Sequence, residues 1–174
     1  MFRLADSLPD SVLLRMEREL RTLPKERFGV ERRKRIEAYL DQGHGEAFLA
    51  TEPIGTLLEN ALLFFDGQRY TLHAWVVMPN HVHVLFTPAD GYDLAGIIMS
   101  WKSYTANEIN KIRGTRGTVW QREYFDRFIR SEEHYWRAAN YAEQNPVKAG
   151  LRTRAEDWKF SSARRRQTGD ATAS

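Results

Sequence analysis

Hydrophobic positions recur every three to four residues in some stretches and every second residue in others, and this divides the chain into elements. Phe2–Ala5 reads as the end of a strand. Ser7-Leu8-Pro9-Asp10 then opens a helix, since proline is tolerated in a first turn and an acidic residue suits the positive end of the helix dipole. Val12, Leu13, Met16 and Leu20 carry that helix toward Pro24. A further helix is predicted from about Val30 to Gln42, basic on its exposed side and stopped at Gly43. Another covers about Pro53 to Phe65, with Leu57, Leu58, Ala61, Leu62 and Phe65 as its apolar stripe. Tyr70–Met78 and His81–Thr87 are rich in β-branched and aromatic residues, and Pro79-Asn80 between them makes a hairpin turn. A helix from about Leu94 to Ile112 ends at Gly114, and Gly114–Gly117 is a loop. Trp120–Ile129 reads as one strand or two short extended pieces. Ser131-Glu132-Glu133 starts a helix that runs to about Asn145, with Pro146 just past its end.

Strands interleaved with helices, including a tight hairpin, predict an α+β fold with a mainly antiparallel sheet. No internal repeat or low-complexity linker interrupts the 174 residues, so one domain over 1–163 is expected, followed by a basic, polar and disordered tail over 164–174. The absence of cysteine excludes a disulfide framework, a thiol nucleophile and an iron–sulfur cluster. The longest apolar runs, Ala61–Phe65 and Ala74–Met78, are too short to cross a bilayer, and the N-terminus does not read as a leader, so a cytoplasmic protein is expected. The formal charge of +3 favours a nucleic-acid partner only weakly. The basic clusters Arg32–Arg35 and Arg164–Arg166 fit phosphate contact and solvated surface equally well.

Candidate chemistry sharpens the picture at His81-Val82-His83. Residues two apart on a strand point to one face, so both imidazoles project together and Val82 and Val84 project to the other. Such a pair can share one metal and leave positions open for substrate oxygens; by spacing alone it is more often two surface histidines on a half-exposed strand. Asn145 is a candidate oxygen ligand for magnesium or manganese, one helical turn after Tyr141. Tyr141 beside such a ligand would be a hydroxyl nucleophile needing help, because a free phenol with a pKa near ~10 is mostly protonated at neutral pH. The same spacing also fits a packed tyrosine and a helix-capping asparagine. Tyr135 lies on another face of that helix, Tyr124 suits packing or base stacking, and His73 reads as structural or as a second group lining the site.

Trp75-Val76-Val77-Met78-Pro79-Asn80-His81-Val82-His83 resembles the signature strand pair of the REP-associated tyrosine transposases, within the insertion-sequence-200-like, single-tyrosine HUH superfamily. Trp120-Gln121, Phe125-Asp126, Tyr141, Asn145-Pro146-Val147-Lys148-Ala149-Gly150, Trp158 and Phe160-Ser161-Ser162-Ala163-Arg164 resemble it in order and spacing. The resemblance implies a ferredoxin-like sheet of about four to five strands flanked by helices. It implies His81 and His83 as metal ligands, Asn145 as the third, Tyr141 as nucleophile, and Mg2+ or Mn2+ as cofactor. The reaction implied is cleavage and rejoining of single-stranded, hairpin-forming DNA through a 5′-phosphotyrosine, by a monomer or a homodimer associated with the nucleoid. Trp101, Lys102, Arg127, Arg130 and Lys148 are the candidate DNA contacts, by stacking or by charge. Family members carry a longer extension ahead of the segment that here reads Phe2-Arg3-Leu4-Ala5, so a truncated first strand is expected. Two other readings stay open at this point: a catalytically inactive nucleic-acid-binding module, and an unrelated metal-dependent hydrolase that activates water.

Overall fold

The computed structural model describes residues 1–169. The chain runs β1 (Phe2–Arg3), α1 (Asp10–Leu20), α2 (Lys25–Leu40), α3 (Ile54–Leu63), β2 (Tyr70–Val77), β3 (His81–Pro88), α4 (Leu94–Arg113), α5 (Glu132–Glu143), α6 (Asn145–Lys148), a 3-10 turn at Ala155–Asp157 and α7 (Ser162–Gln167). The three strands form one antiparallel sheet in the order β1-β3-β2, so the histidine-bearing strand is central. This is the α+β architecture that the periodicity predicts.

Alternation sorts the central strand into two faces. Val82 is buried in the main core with its neighbours Phe2 and Val77, against Ile54, Leu58 and Leu62 of α3 and Ile97, Ile98 and Trp101 of α4. His81 and His83 take the other face, which α5 covers. A bulge between Leu72 and Ala74 inserts one residue in β2, so that Leu72 and Trp75 both reach the main core despite their odd separation. His73 sits at that bulge; it bonds Thr87 Oγ1 at 2.8 Å and meets the ring of Tyr135, which gives it a structural part. α1 and α2 pair around Leu8, Ile36 and Leu40 as a smaller core beside the sheet.

The sheet is smaller than the four to five strands expected. Each outer strand is instead covered by an irregular segment with single-bridge contacts. Trp120 bridges Leu4, and Ala5 and Gln121 N–H groups reach Val119 and Arg3 carbonyls across that edge. On the other side Ser161 bridges Val76, and the Val77 N–H donates to Phe160 O at 2.9 Å. These bonds satisfy edge groups that would otherwise offer themselves to another chain. Trp120–Ile129 is therefore extended backbone rather than a regular strand, because its polar residues bury little against the sheet.

Two further differences have local causes. α2 begins at Lys25, earlier than the apolar pattern indicates, because Pro24 sets the entry and packing of Ile36 and Leu40 outweighs the exposed Gly29. The expected tail from 164 onward is helical through Gln167: Ser161 caps α7, and Arg166 pairs with the buried Glu143 of α5. Residues 170–174 of that expected tail lie outside the described residues.

Candidate metal and nucleophile site

His81 is fully buried and His83 nearly so. Burial lowers both imidazole pKa values, to about 3 for His81 and well below the ordinary range for His83, so both are neutral near pH 7. Neutral imidazole has one donor and one acceptor nitrogen, and the surroundings of His81 decide which is which. The Asn80 amide donates to the Leu40 and His44 carbonyls at 3.0 and 2.9 Å, which leaves its oxygen as an acceptor 2.7 Å from His81 Nδ1. Nδ1 therefore carries the proton and Nε2 keeps its lone pair free. A histidine ligand oriented through its other nitrogen is the usual arrangement around a bound metal. Asn80 also ties the hairpin turn to the end of α2. Asn80→Ala should cost about 2–4 kcal/mol, since it removes the bonds to the His44 carbonyl and the His81 ring N–H and leaves the Leu40 carbonyl with only the Gly43 N–H; a urea midpoint unchanged from wild type would remove this account.

α5 brings the nucleophile candidate to the same face. The Tyr141 ring lies 5.7 Å from that of His83, and its hydroxyl donates to Glu37 Oε2 at 2.7 Å. Burial, then the hydrogen bond to Glu37 and the charges of Glu37 and Asp41, push the phenol pKa up; Arg33 acts in the opposite sense. Asn145 follows at the first position of α6, fully buried, and its amide donates to Tyr141 O at 3.0 Å. That bond turns Asn145 Oδ1 away as an unpartnered acceptor. The rings of His81, His83 and Tyr141 thus lie in succession on one face of the sheet, Asn145 follows Tyr141 by one turn, and the Lys148 ammonium is 4.2 Å from the centre of the Tyr141 ring.

α2 adds two carboxylates, Glu37 and Asp41, that sequence reading did not single out, beside Arg33 of the basic cluster. Arg33, Glu37 and Asp41 stand at successive four-residue steps and share one side of the helix. Glu37 holds the phenol, and Asp41 Oδ1 lies 3.9 Å from His81 Nε2. Burial raises the Asp41 pKa, with Lys148 opposing. The basic run gave the only sequence signal here, and most of it is spent elsewhere: Arg32 pairs with Glu17, Lys34 with Glu31 and Arg35 with Glu19.

Among the described residues no three His, Cys, Asp or Glu side chains close into a ready-made cage. The available set is mixed: His81 Nε2, His83 Nε2 and Asn145 Oδ1 are all buried atoms without a hydrogen-bond partner. Unpaired acceptors are costly when buried together and suit a hard or borderline divalent cation, so the residues fit the expected metal.

The DNA-contact candidates divide. Trp101 is 4% exposed and its indole donates to Tyr70 Oη at 3.0 Å among the rings of Tyr70 and Phe86, so it is a core residue and not a stacking platform. Lys102 donates to the Gln121 and Arg122 carbonyls at 2.7 and 2.8 Å; it secures the loop over the β1 edge rather than facing a phosphate. Both follow from the depth at which α4 packs, which its mixed pattern does not reveal. Arg127, Arg130 and Lys148 are exposed. Phe128, between the two arginines, is 77% exposed and adds an aromatic face that sequence reading passed over.

A sheet carrying paired histidines on its central strand, with a tyrosine helix across them, defines the chain's class. The protein belongs to the IS200-like transposase family, whose sequence model matches residues 56–145. Within that family it is similar to the REP-associated tyrosine transposase of Escherichia coli (strain K12), with 28% identity over 110 residues, 63% of this chain and 64% of the relative. The chain thus spans less than two thirds of that relative's length. It is also similar to the solved structure of a REP-associated tyrosine transposase bound to a REP hairpin, at 26% identity and a TM-score of 0.55, covering 67% of this chain and 69% of the other. Arg33, Glu37, Asp41 and Lys148 fall outside the residues matched by the family model. Among the described residues no helix is long and apolar enough to cross a membrane.

Proposed function

We propose that this protein cleaves and rejoins single-stranded DNA at hairpin-forming repeats, through a transient bond between Tyr141 and a 5′ phosphate. The observation that carries the reading is the packing of the Tyr141 ring against His83, two residues from His81 on the central strand, with the Nε2 atoms of both imidazoles and the Oδ1 of Asn145 buried and unpartnered. A relative bound to a REP hairpin supports the substrate class. His81, His83 and Asn145 are the side chains that would hold a divalent cation, Mg2+ or Mn2+, which when bound would polarise the scissile phosphate.

The chain's own groups do the rest. Tyr141 Oη forms a bond to phosphorus while the phosphorus–O3′ bond breaks. The phenolic proton passes along the existing 2.7 Å hydrogen bond to Glu37 Oε2, and the departing O3′ takes a proton from water. Rejoining is the reverse: a 3′-hydroxyl attacks the phosphotyrosine and Tyr141 recovers its proton from Glu37. The phosphotyrosine conserves the bond energy, so no nucleotide cofactor is needed. Lys148, beside the ring, and the exposed Arg127 and Arg130 hold phosphates, and Phe128 offers a base-stacking face. The packing of the Tyr141 ring on His83 of the same chain supports action as a monomer, within the expected choice of monomer or homodimer. The site of action is the nucleoid, in the cytoplasm.

Covalent capture tests the reading. Labelled hairpin oligonucleotides from the flanks of the gene are incubated with the protein and Mn2+, and the products are separated under denaturing conditions. A DNA adduct that mass spectrometry maps to the peptide holding Tyr141, and that EDTA suppresses, is expected. Hairpin binding with no adduct would replace the enzyme with a binding module. Cleavage without an adduct would replace the tyrosine with activated water.

A further inference from the structure

We infer that Glu143, the last residue of α5, is a positioning residue for Tyr141: bonded through Ser162 to β2, it seats the tyrosine helix over His83. The inference rests on the nucleophile reading above and draws α7, beyond the residues matched by the family model, into the site. Residues two apart on a helix point to nearly opposite sides, so Glu143 reaches away from the side on which Tyr141 meets His83. Its carboxylate accepts from Ser162 Oγ through Oε1 and from Arg166 through Oε2. Ser162 Oγ in turn accepts from the Trp75 N–H at 3.1 Å. Trp75 precedes Val76, the residue of β2 that pairs with His83. A relay of hydrogen bonds through Ser162 therefore ties the end of α5 to the strand beside the histidine.

Glu143 serves geometry more than stability. It is 8% exposed and stands at the electronegative end of a helix whose last turn carries no basic residue. Both settings disfavour a negative charge, and the pair with Arg166 does little more than offset that cost. What the arrangement supplies is one orientation, because Ser162 is itself fixed. Ser161 caps α7 and bridges Val76, and the Val77 N–H donates to Phe160 O at 2.9 Å, so the segment carrying Ser162 is bonded along β2. A shift of about 1 Å in a reacting group can cost ~10^2-fold in rate, so a fastening two residues from Tyr141 bears on its attack.

Two readouts separate positioning from a merely structural contact. Fluorotyrosine is incorporated in place of tyrosine, and the Tyr141 resonance is assigned by its absence in Tyr141→Phe; its fluorine shift is read without DNA or metal. Adduct formation is then timed at saturating hairpin with Mn2+. Glu143→Ala and Ser162→Ala should each move or broaden the Tyr141 line and slow adduct formation about 10- to 100-fold, with hairpin affinity within roughly twofold. Glu143→Gln, which still accepts from Ser162, should restore the line and most of the rate. Ser162→Ala removes a single oxygen and carries the test if Glu143→Ala fails to fold. A folded variant of either kind that keeps the wild-type line, or the wild-type rate, overturns the inference. A wild type that forms no adduct defeats the enzyme reading instead, and the fluorine line alone then decides whether Glu143 seats the tyrosine.

Discussion

Tyr141→Phe is expected to lower covalent DNA cleavage by at least about 10^4-fold while leaving hairpin affinity within roughly twofold. The substitution removes one oxygen, the attacking atom, and keeps the ring that packs 5.7 Å from His83 and under Lys148. Its only other loss is the hydrogen bond to Glu37, and the freed carboxylate stays half-buried rather than sealed, so stability should change little. Glu37→Gln separates proton transfer from attack. An amide still orients the phenol but accepts its proton poorly, so the rate of adduct formation should fall about 10^2- to 10^4-fold with the adduct still on Tyr141. Cleavage at the wild-type rate in Tyr141→Phe would remove the tyrosine from the mechanism. A wild-type rate in Glu37→Gln would leave it in place and dismiss only the carboxylate.

Acid should unfold the metal-free protein early. The folded state holds His81 at about 3, against ~6.5 in an unfolded chain, and holds His83 low as well. The unfolded state therefore binds more protons below pH ~6.5. The histidine contribution is complete above that value and is lost as pH falls toward the folded-state values. Each histidine costs about 1.4 kcal/mol per pH unit in that window, so His81 alone removes roughly 3 kcal/mol between pH 6.5 and 4.5, and His83 adds to it. That is a large share of a typical domain stability of about 5–15 kcal/mol. Asp41, raised by burial, works in the opposite sense, so the comparison is made against a His81→Gln, His83→Gln double variant measured at each pH. Urea midpoints of wild type in EDTA should drop steeply below pH 6.5 relative to that variant, and Mn2+ should delay the drop. Parallel curves for the two proteins would mean that the histidines are hydrated and not buried neutral.

How much of this was legible in advance differs between elements. The hairpin, α3, α4 and α5 follow from local pattern, because each buries an apolar face whose period is written in consecutive residues. His81 and His83 were readable for the same reason: strand alternation puts residues two apart on one face whatever the rest of the chain does. Tyr141 and Asn145 are four residues apart across the junction of α5 and α6, so their pairing was local too, and resemblance to a family joined the two pairs. Sheet size was less legible. Trp120–Ile129 and Phe160–Ser162 contribute edge bonds without regular pairing, and whether an extended segment becomes a strand depends on partners far away in sequence.

The sequence by itself determined the α+β class, the face of the central strand that carries the histidines, and the four-residue spacing that sets Asn145 just after Tyr141. Only the tertiary structure decided what surrounds them. It sank Trp101 into the core and spent Lys102 on loop carbonyls, since the depth of α4 is set by what packs over it. It also swung α2 across the site, where Glu37 meets a hydroxyl 104 residues away and Asp41 faces His81. The physical reason is one of range. Backbone periodicity aims side chains within an element, whereas a buried acceptor finds its partner through the packing of elements that the local pattern leaves unordered.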